Sequence, residues 1–316
     1  EAAEAAKPWG VAIGAAIVVN IVTLSGVIFV VPFFSKLAAK FPVPLTVGVN
    51  SFASGAILSA AFFLMFYEAT HLIKPEGSTE AQQTAWWGSA ILLGFLSAYL
   101  LDIMFSAIQP LAAKADDPKT ADDAKTTTIT EVDEAALGKP ALPVADAQTQ
   151  GRILVGVLLG DFMHNLVDGI FIGFAFMACG TATGWTITAA TVAHEVGQEI
   201  ADYLVLTNPT QGNLKPLMAL ALNFVSGLSV ILGVIIVLAQ GAEDNFSNGI
   251  LLAFGGGIYV HIGAAECMSR CTAVARTLLL RLMAIGIFII GAIVIGVVLV
   301  SHEHCVAGGG GHAHAH

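Results

Sequence analysis

Two short stretches of the chain gather metal-binding and proton-carrying side chains inside otherwise apolar sequence. One reads Asp161-Phe-Met-His164-Asn165-Leu-Val-Asp168-Gly169, the other His194-Glu195-Val-Gly197-Gln198-Glu199-Ile-Ala-Asp202. At 100° per residue on a helix, Asp161, His164, Asn165 and Asp168 fall within an arc of roughly 100°, and His194, Glu195, Gln198, Glu199 and Asp202 within roughly 140°. Each stretch therefore presents a polar stripe, and two facing stripes bury one hydrophilic strip. Imidazole nitrogens mixed with carboxylate and amide oxygens suit zinc and its first-row neighbours. A divalent cation also offsets the mutual repulsion of carboxylates held in low dielectric. A permanent structural zinc favours a closed four-ligand cage, whereas mixed donors along a strip suit an ion that must leave again. The plain alternative is a proton relay or interhelical hydrogen-bond network without metal.

The elements that carry these stripes must be membrane helices. Hydrophobic residues make up 56% of the 316 residues and charged residues 11%, and the mean hydropathy is +0.80. A soluble domain needs about 25% charged residues to wet its surface. These figures exclude a disordered chain, a coiled coil and a disulfide-stapled domain. The net charge of -10 also opposes nucleic-acid binding, which calls for excess Lys and Arg. Stretches of about 20 apolar residues, long enough to cross a bilayer, occur at about 10–34, 46–69, 86–109, 152–177, 185–207, 214–239, 247–269 and 277–300. They do not alternate as barrel strands would. The expected fold is an all-α integral membrane protein of eight transmembrane helices. Seven ionisable groups in the fourth and fifth spans, scattered against lipid, would oppose insertion by well over roughly 10 kcal/mol. A short connection at 178–184 makes those two spans antiparallel neighbours, which lets them shield one another.

The expected organisation is helices 1–3 in residues 1–110, a flexible cytoplasmic linker at 111–150, helices 4–8 in 151–300 and a tail at 301–316. The linker is rich in Ala, Asp, Lys, Thr and Pro. With the N-terminus outside, eleven of the thirteen Lys and Arg residues fall in cytoplasmic loops, leaving Lys7 and Lys74 outside. Both termini are therefore expected on the extracytoplasmic side, in the plasma membrane or an organelle membrane. The chain opens at Glu1, consistent with a removed leader or a truncated start. The tail alternates His312, His314 and His316 with Ala after four glycines; it is either a loose metal collector, with His302 and His304, or low-complexity sequence. Cys179 and Cys305 share the outer side and could pair. Cys267 and Cys271, at a cytoplasmic helix end, are expected to stay reduced. Gly255-Gly256-Gly257 reads as a close-packing surface rather than a nucleotide loop.

The paired pattern His164-Asn165-x-x-Asp168-Gly169 and His194-Glu195-x-x-Gln198-Glu199-x-x-Asp202 resembles the double signature of the ZIP family of zinc and iron transporters, closest to its LIV-1 branch. The resemblance extends to the eight-span plan and the long third loop, with weaker echoes at Glu68 and His71 and at Asn223-Phe224-Val-Ser226. It implies inverted repeats in a three-plus-two-plus-three arrangement and alternating access around a binuclear midplane site. His164, Asp168, His194 and Gln198 would form the main site; Asn165 and Glu195, with Asp168 shared, the adjoining one. Zinc would be transported cargo rather than a prosthetic group, with Fe2+, Mn2+ or Cd2+ as further candidates, and a homodimer is a reasonable assembly. Gln198 and Gly197 depart from the branch, which usually has His and Pro there, so the main site should bind zinc more loosely. Asp161 and Glu199 are candidates for gating or for supporting the ligands, and Asp202 belongs to the same strip. Asp102, His261 and Glu266 could line the ion path; otherwise they pair between helices.

Two other classes compete. His194-Glu195-x-x-Gln198 stands one residue from the HExxH of an intramembrane zinc metalloprotease, but Gln replaces the second ligand and Asp168-Gly169 precedes the motif. A membrane metal sensor would bind metal without passing it. The residues favour a carrier and not an enzyme.

Overall fold

The computed structural model describes residues 7–115, 147–241 and 245–299. They form α1 (Trp9–Lys40), α2 (Pro42–Leu72), α3 (Glu80–Ala115), α4 (Ala147–Phe174, continued by a π turn at Ala175–Cys179), α5 (Thr181–Thr207), α6 (Pro216–Gln240, with a turn at Leu228), α7 (Asn245–Val274) and α8 (Leu278–Leu299). Among the described residues, seven segments are long and apolar enough to cross a membrane, one in each helix except α5. The polar stripe that makes α5 chemically interesting also lowers its hydropathy. Residues 111–115 and 147–150, at the two ends of the stretch expected as a linker, are helical. The linker acids, Cys305 and the His-bearing tail lie outside the described residues, as does the side chain of Asp102.

Local chemistry sets the helix boundaries. Pro42 and Pro216 occupy first-turn positions of α2 and α6, where the missing N–H costs nothing. Thr79 and Thr277 cap α3 and α8, each hydroxyl accepting the backbone N–H three residues on. Between α4 and α5 the expected seven-residue connection shrinks to Gly180, whose φ of 89° suits a residue without Cβ.

The surface is inverted relative to that of a soluble protein. Phe29 and Leu279 are 82% and 77% exposed, while His164, Asp168 and Glu195 are at most 1% exposed. Apolar side chains face outward and the ionisable groups face one another, as a bilayer requires. Inside, the helices pack at glycines. A Cβ on Gly169 would fall on the Val230 carbonyl and one on Gly233 on the Leu166 carbonyl, so α4 and α6 meet backbone to backbone. Gly94 and Gly257 do the same for α3 and α7, and Gly55 and Gly291 for α2 and α8. Gly255 and Gly256 meet Val167, Met65 and Phe66, so all three consecutive glycines serve packing.

The helix pairs α2–α3 and α7–α8 share a plan. Each leading helix contains a π turn, at Ala60–Met65 and His261–Cys267, followed by seven α-helical residues. Each then ends alike, Ile73 at φ -85°, ψ 66° and Ala275 at φ -78°, ψ 68°. Lys74 and Arg276 each donate their N–H two residues back at 2.9 Å. α2 packs extensively against α8, and α3 against α7.

Candidate metal centre

α4 and α5 bring four donors together. His164, Asp168, His194 and Glu195 each place one ligating atom within 4.8 Å of all the others, and all four are buried. His164 Nε2 stands 2.8 Å from Glu195 Oε1 and 3.5 Å from Asp168 Oδ2, and His194 Nε2 stands 3.2 Å from Asp168 Oδ1. Ligands about 2.1 Å from a tetrahedral zinc lie about 3.4 Å apart, so these separations fit one shared ion. The orientation fits as well. Nε2 of both histidines, Oδ2 of Asp168 and both Glu195 oxygens lack a hydrogen-bond partner despite these short distances. Buried polar atoms are rarely left so, and an ion in their midst would satisfy them together. His194 Nδ1 lies 3.1 Å from the Ala190 carbonyl; donating there leaves Nε2 as a free lone pair.

The remaining strip residues have partners of their own. Asn165 donates to Asp161, at 2.9 Å to the carboxylate and 3.1 Å to the carbonyl. Cys267 donates its thiol toward Gln198 Oε1 at 3.8 Å. Glu199 accepts from Asn223 of α6 at 2.6 Å, and Asp202 accepts from Arg270 of α7 at 3.0 Å. Glu266 also pairs with Arg270, at 3.2 Å, and stands 3.8 Å from His261. Gly197, where a proline was the alternative, leaves room for Phe52 of α2, whose ring a Cβ would meet at 2.8 Å. Cys267 and Cys271 are both free and buried, and Cys271 Sγ lies 3.1 Å from Ser51 Oγ. Glu68 is buried, while His71 is exposed, its Nδ1 against the Tyr67 carbonyl.

Sequence reasoning missed Tyr259. Its ring stacks on His164 at 4.8 Å with planes 9° apart, and its hydroxyl donates to Asp168 Oδ1. It closes the donor cluster from α7. A tyrosine in mid-span needs a partner for its hydroxyl, and that was the available signal. Arg270 was read only as a topology marker, although it joins α7 to the strip. Asn20 of α1 was not singled out either. It reaches the same region, its Nδ2 2.9 Å from where a Cβ on Gly227 would stand.

A family model described as ZIP Zinc transporter matches residues 7–299. Among curated proteins, the chain is 33% identical over 112 residues to IAA-alanine resistance protein 1 of Arabidopsis thaliana, covering 35% of this chain and 23% of that protein. It is 30% identical over 112 residues to zinc transporter ZIP4 of Homo sapiens, covering 35% and 16%. It is 29% identical over 126 residues to metal cation symporter ZIP14 of Danio rerio, covering 40% and 24%. The matched stretches thus span a quarter or less of these relatives.

Proposed function

The chain belongs to the ZIP zinc transporter family, and from that premise we propose that it carries divalent metal, zinc foremost, through the buried cluster between α4 and α5. The observation that carries this reading is the convergence of four buried ligating atoms, from His164, Asp168, His194 and Glu195, within 4.8 Å of one another. Gln198 would complete the main position with His164, Asp168 and His194, and Asn165 with Glu195 would form the adjoining one, Asp168 being shared. The names of two relatives, a zinc transporter and a metal cation symporter, agree with this cargo. Fe2+, Mn2+ and Cd2+ are further candidates because amide and carboxylate oxygens discriminate weakly among them.

In this reading Thr181–Thr207 is the eighth span. Its polar residues meet α4 through His164 and Asp168, α6 through Asn223 and α7 through Cys267 and Arg270, so it can cross the bilayer without presenting charge to lipid. The matched ends and π turns of α2–α3 and α7–α8 support an inverted-repeat, three-plus-two-plus-three plan, which suits alternating access around a midplane site. The Lys and Arg distribution favours both termini outside, and the direction proposed for transport, toward the cytoplasm, rests on the family resemblance. The membrane is the plasma membrane or that of an organelle, and a homodimer is the assembly to test by cross-linking.

The deciding experiment is initial-rate uptake of labelled zinc into proteoliposomes, comparing wild type with His164→Ala and His194→Ala at matched abundance. Losing a ligand should cost at least about tenfold in affinity, the lower bound seen when mere supporting residues of metal sites are removed. Wild-type flux in both variants would overturn the site. Stoichiometric zinc binding without wild-type flux would favour a sensor.

A further inference from the structure

A cavity of about 1310 Å³ opens beside the strip, bordered by Arg152, Gly160, His261, Glu266 and Arg270 among others. None of His164, Asp168, His194, Glu195, Gln198 or Asp202 lines it. Between the cavity and these residues stands an ion-pair network. Arg270 Nη1 holds Asp202 Oδ1 at 3.0 Å, and Nη2 holds Glu266 Oε2 at 3.2 Å. The side chains of Arg270 and Glu266 are 25% and 26% exposed, that of Asp202 only 3%. Glu266 lies over Gly160 of α4, where a Cβ would meet both carboxylate oxygens at 3.4 Å. The network thus ties α4, α5 and α7 together where the cavity ends.

On α5, His194, Gln198 and Asp202 recur every four residues, a rise of about 6 Å per step. They form a ladder of donors from the metal centre to the network, with Asp202 as its last rung. A guanidinium is always charged and offers only donors. While it holds Asp202 Oδ1, it neutralises that carboxylate as a ligand for metal, and a cation approaching from the cluster meets a positive charge.

We propose that Arg270 is a tethered counter-ion that closes the cavity side of the metal path and exchanges with the travelling ion at Asp202. In the closed arrangement the guanidinium neutralises Asp202. When a divalent ion reaches Asp202, the arginine releases Asp202, keeps its hold on Glu266 and moves toward the cavity, and its return displaces the ion. Arg270 is then a positioning residue of transport that sets how readily the ion leaves. This rests on the transport reading above.

Two measurements test it. The first counts zinc bound to purified protein by elemental analysis, alongside proteoliposome uptake, for wild type, Arg270→Gln and Arg270→Lys. Arg270→Gln frees Asp202 as a ligand, so it should retain one more zinc than wild type while its uptake falls several-fold. Arg270→Lys, which keeps the charge, should hold the wild-type count. The second needs no variant: phenylglyoxal modification of wild-type protein, read by peptide mass spectrometry with and without zinc. Zinc should raise labelling of Arg270 several-fold and leave that of Arg152, at the same cavity, unchanged. An unaltered zinc count in folded Arg270→Gln, or unaltered Arg270 labelling in zinc-binding wild type, overturns the proposal. Absence of zinc binding and flux in wild type would instead defeat the transport reading itself.

Discussion

Around the metal cluster, residues differ in what their loss should do. Tyr259 supplies no lone pair to the cluster centre, yet its hydroxyl holds Asp168 and its ring backs His164. Tyr259→Phe keeps the ring and deletes the hydrogen bond. A bond to a charged acceptor contributes about 1.5 kcal/mol, so zinc affinity should fall about tenfold with folding intact, as a calorimetric titration would show. An unchanged titration would reduce Tyr259 to packing. Gln198→His replaces a neutral oxygen by an imidazole one turn from His194. It should tighten zinc binding and narrow selectivity, and competition by manganese and cadmium would measure this. Identical competition profiles would remove Gln198 from the ligand set.

Among the helices, glycines fix the geometry the donors depend on. The α4–α6 contact is closest at Gly169 and Gly233, and Gly169 directly follows Asp168. Gly233→Ala would drive a Cβ into the Leu166 carbonyl of the helix that carries His164 and Asp168. Overpacking of this kind costs about 1–3 kcal/mol. A lower melting temperature in detergent, together with weaker zinc binding, is therefore expected. Gly286→Ala, with nothing within 4 Å of its Cβ, is the control and should match wild type. The π turns in α2 and α7 interrupt otherwise regular helices, and π turns often mark functional sites. The one at His261–Cys267 carries Glu266 and leads directly into the segment bearing Arg270.

At the level of the whole molecule, the arrangement is a sleeve of apolar helices around a polar interior. The side chains of α1, α3 and α8 that face outward include Phe29, Leu92 and Leu279, all well exposed. Such a surface is stable only against lipid. The positive-inside distribution predicts that epitope tags at either terminus are reached by antibody from the extracytoplasmic side of intact membranes, while a tag within 116–146 is reached only after permeabilisation. Labelling of the linker tag without permeabilisation would invert the topology, and with it the proposed direction of transport.

Composition alone determined the solvent of this protein, because 11% charged residues cannot wet a chain of 316. Helical periodicity determined the two stripes, since i, i+3 and i+4 spacing puts side chains on one face whatever the surroundings. His164, Asp168, His194 and Glu195 were therefore legible among the candidate ligands before any fold was known, although the grouping expected from the resemblance put Gln198 rather than Glu195 beside the two histidines and Asp168. Asn165 and Gln198 were read with them, yet their contacts, to Asp161 and Cys267, emerged only from packing. Tyr259 and Arg270 show the limit. They sit 64 and 75 residues beyond Glu195 on a helix whose own periodicity says nothing about α4 or α5. Only the backbone-to-backbone approach of glycine-bearing helices, a property of the assembled fold, decided which of the chain's tyrosines backs His164 and which cation meets Asp202.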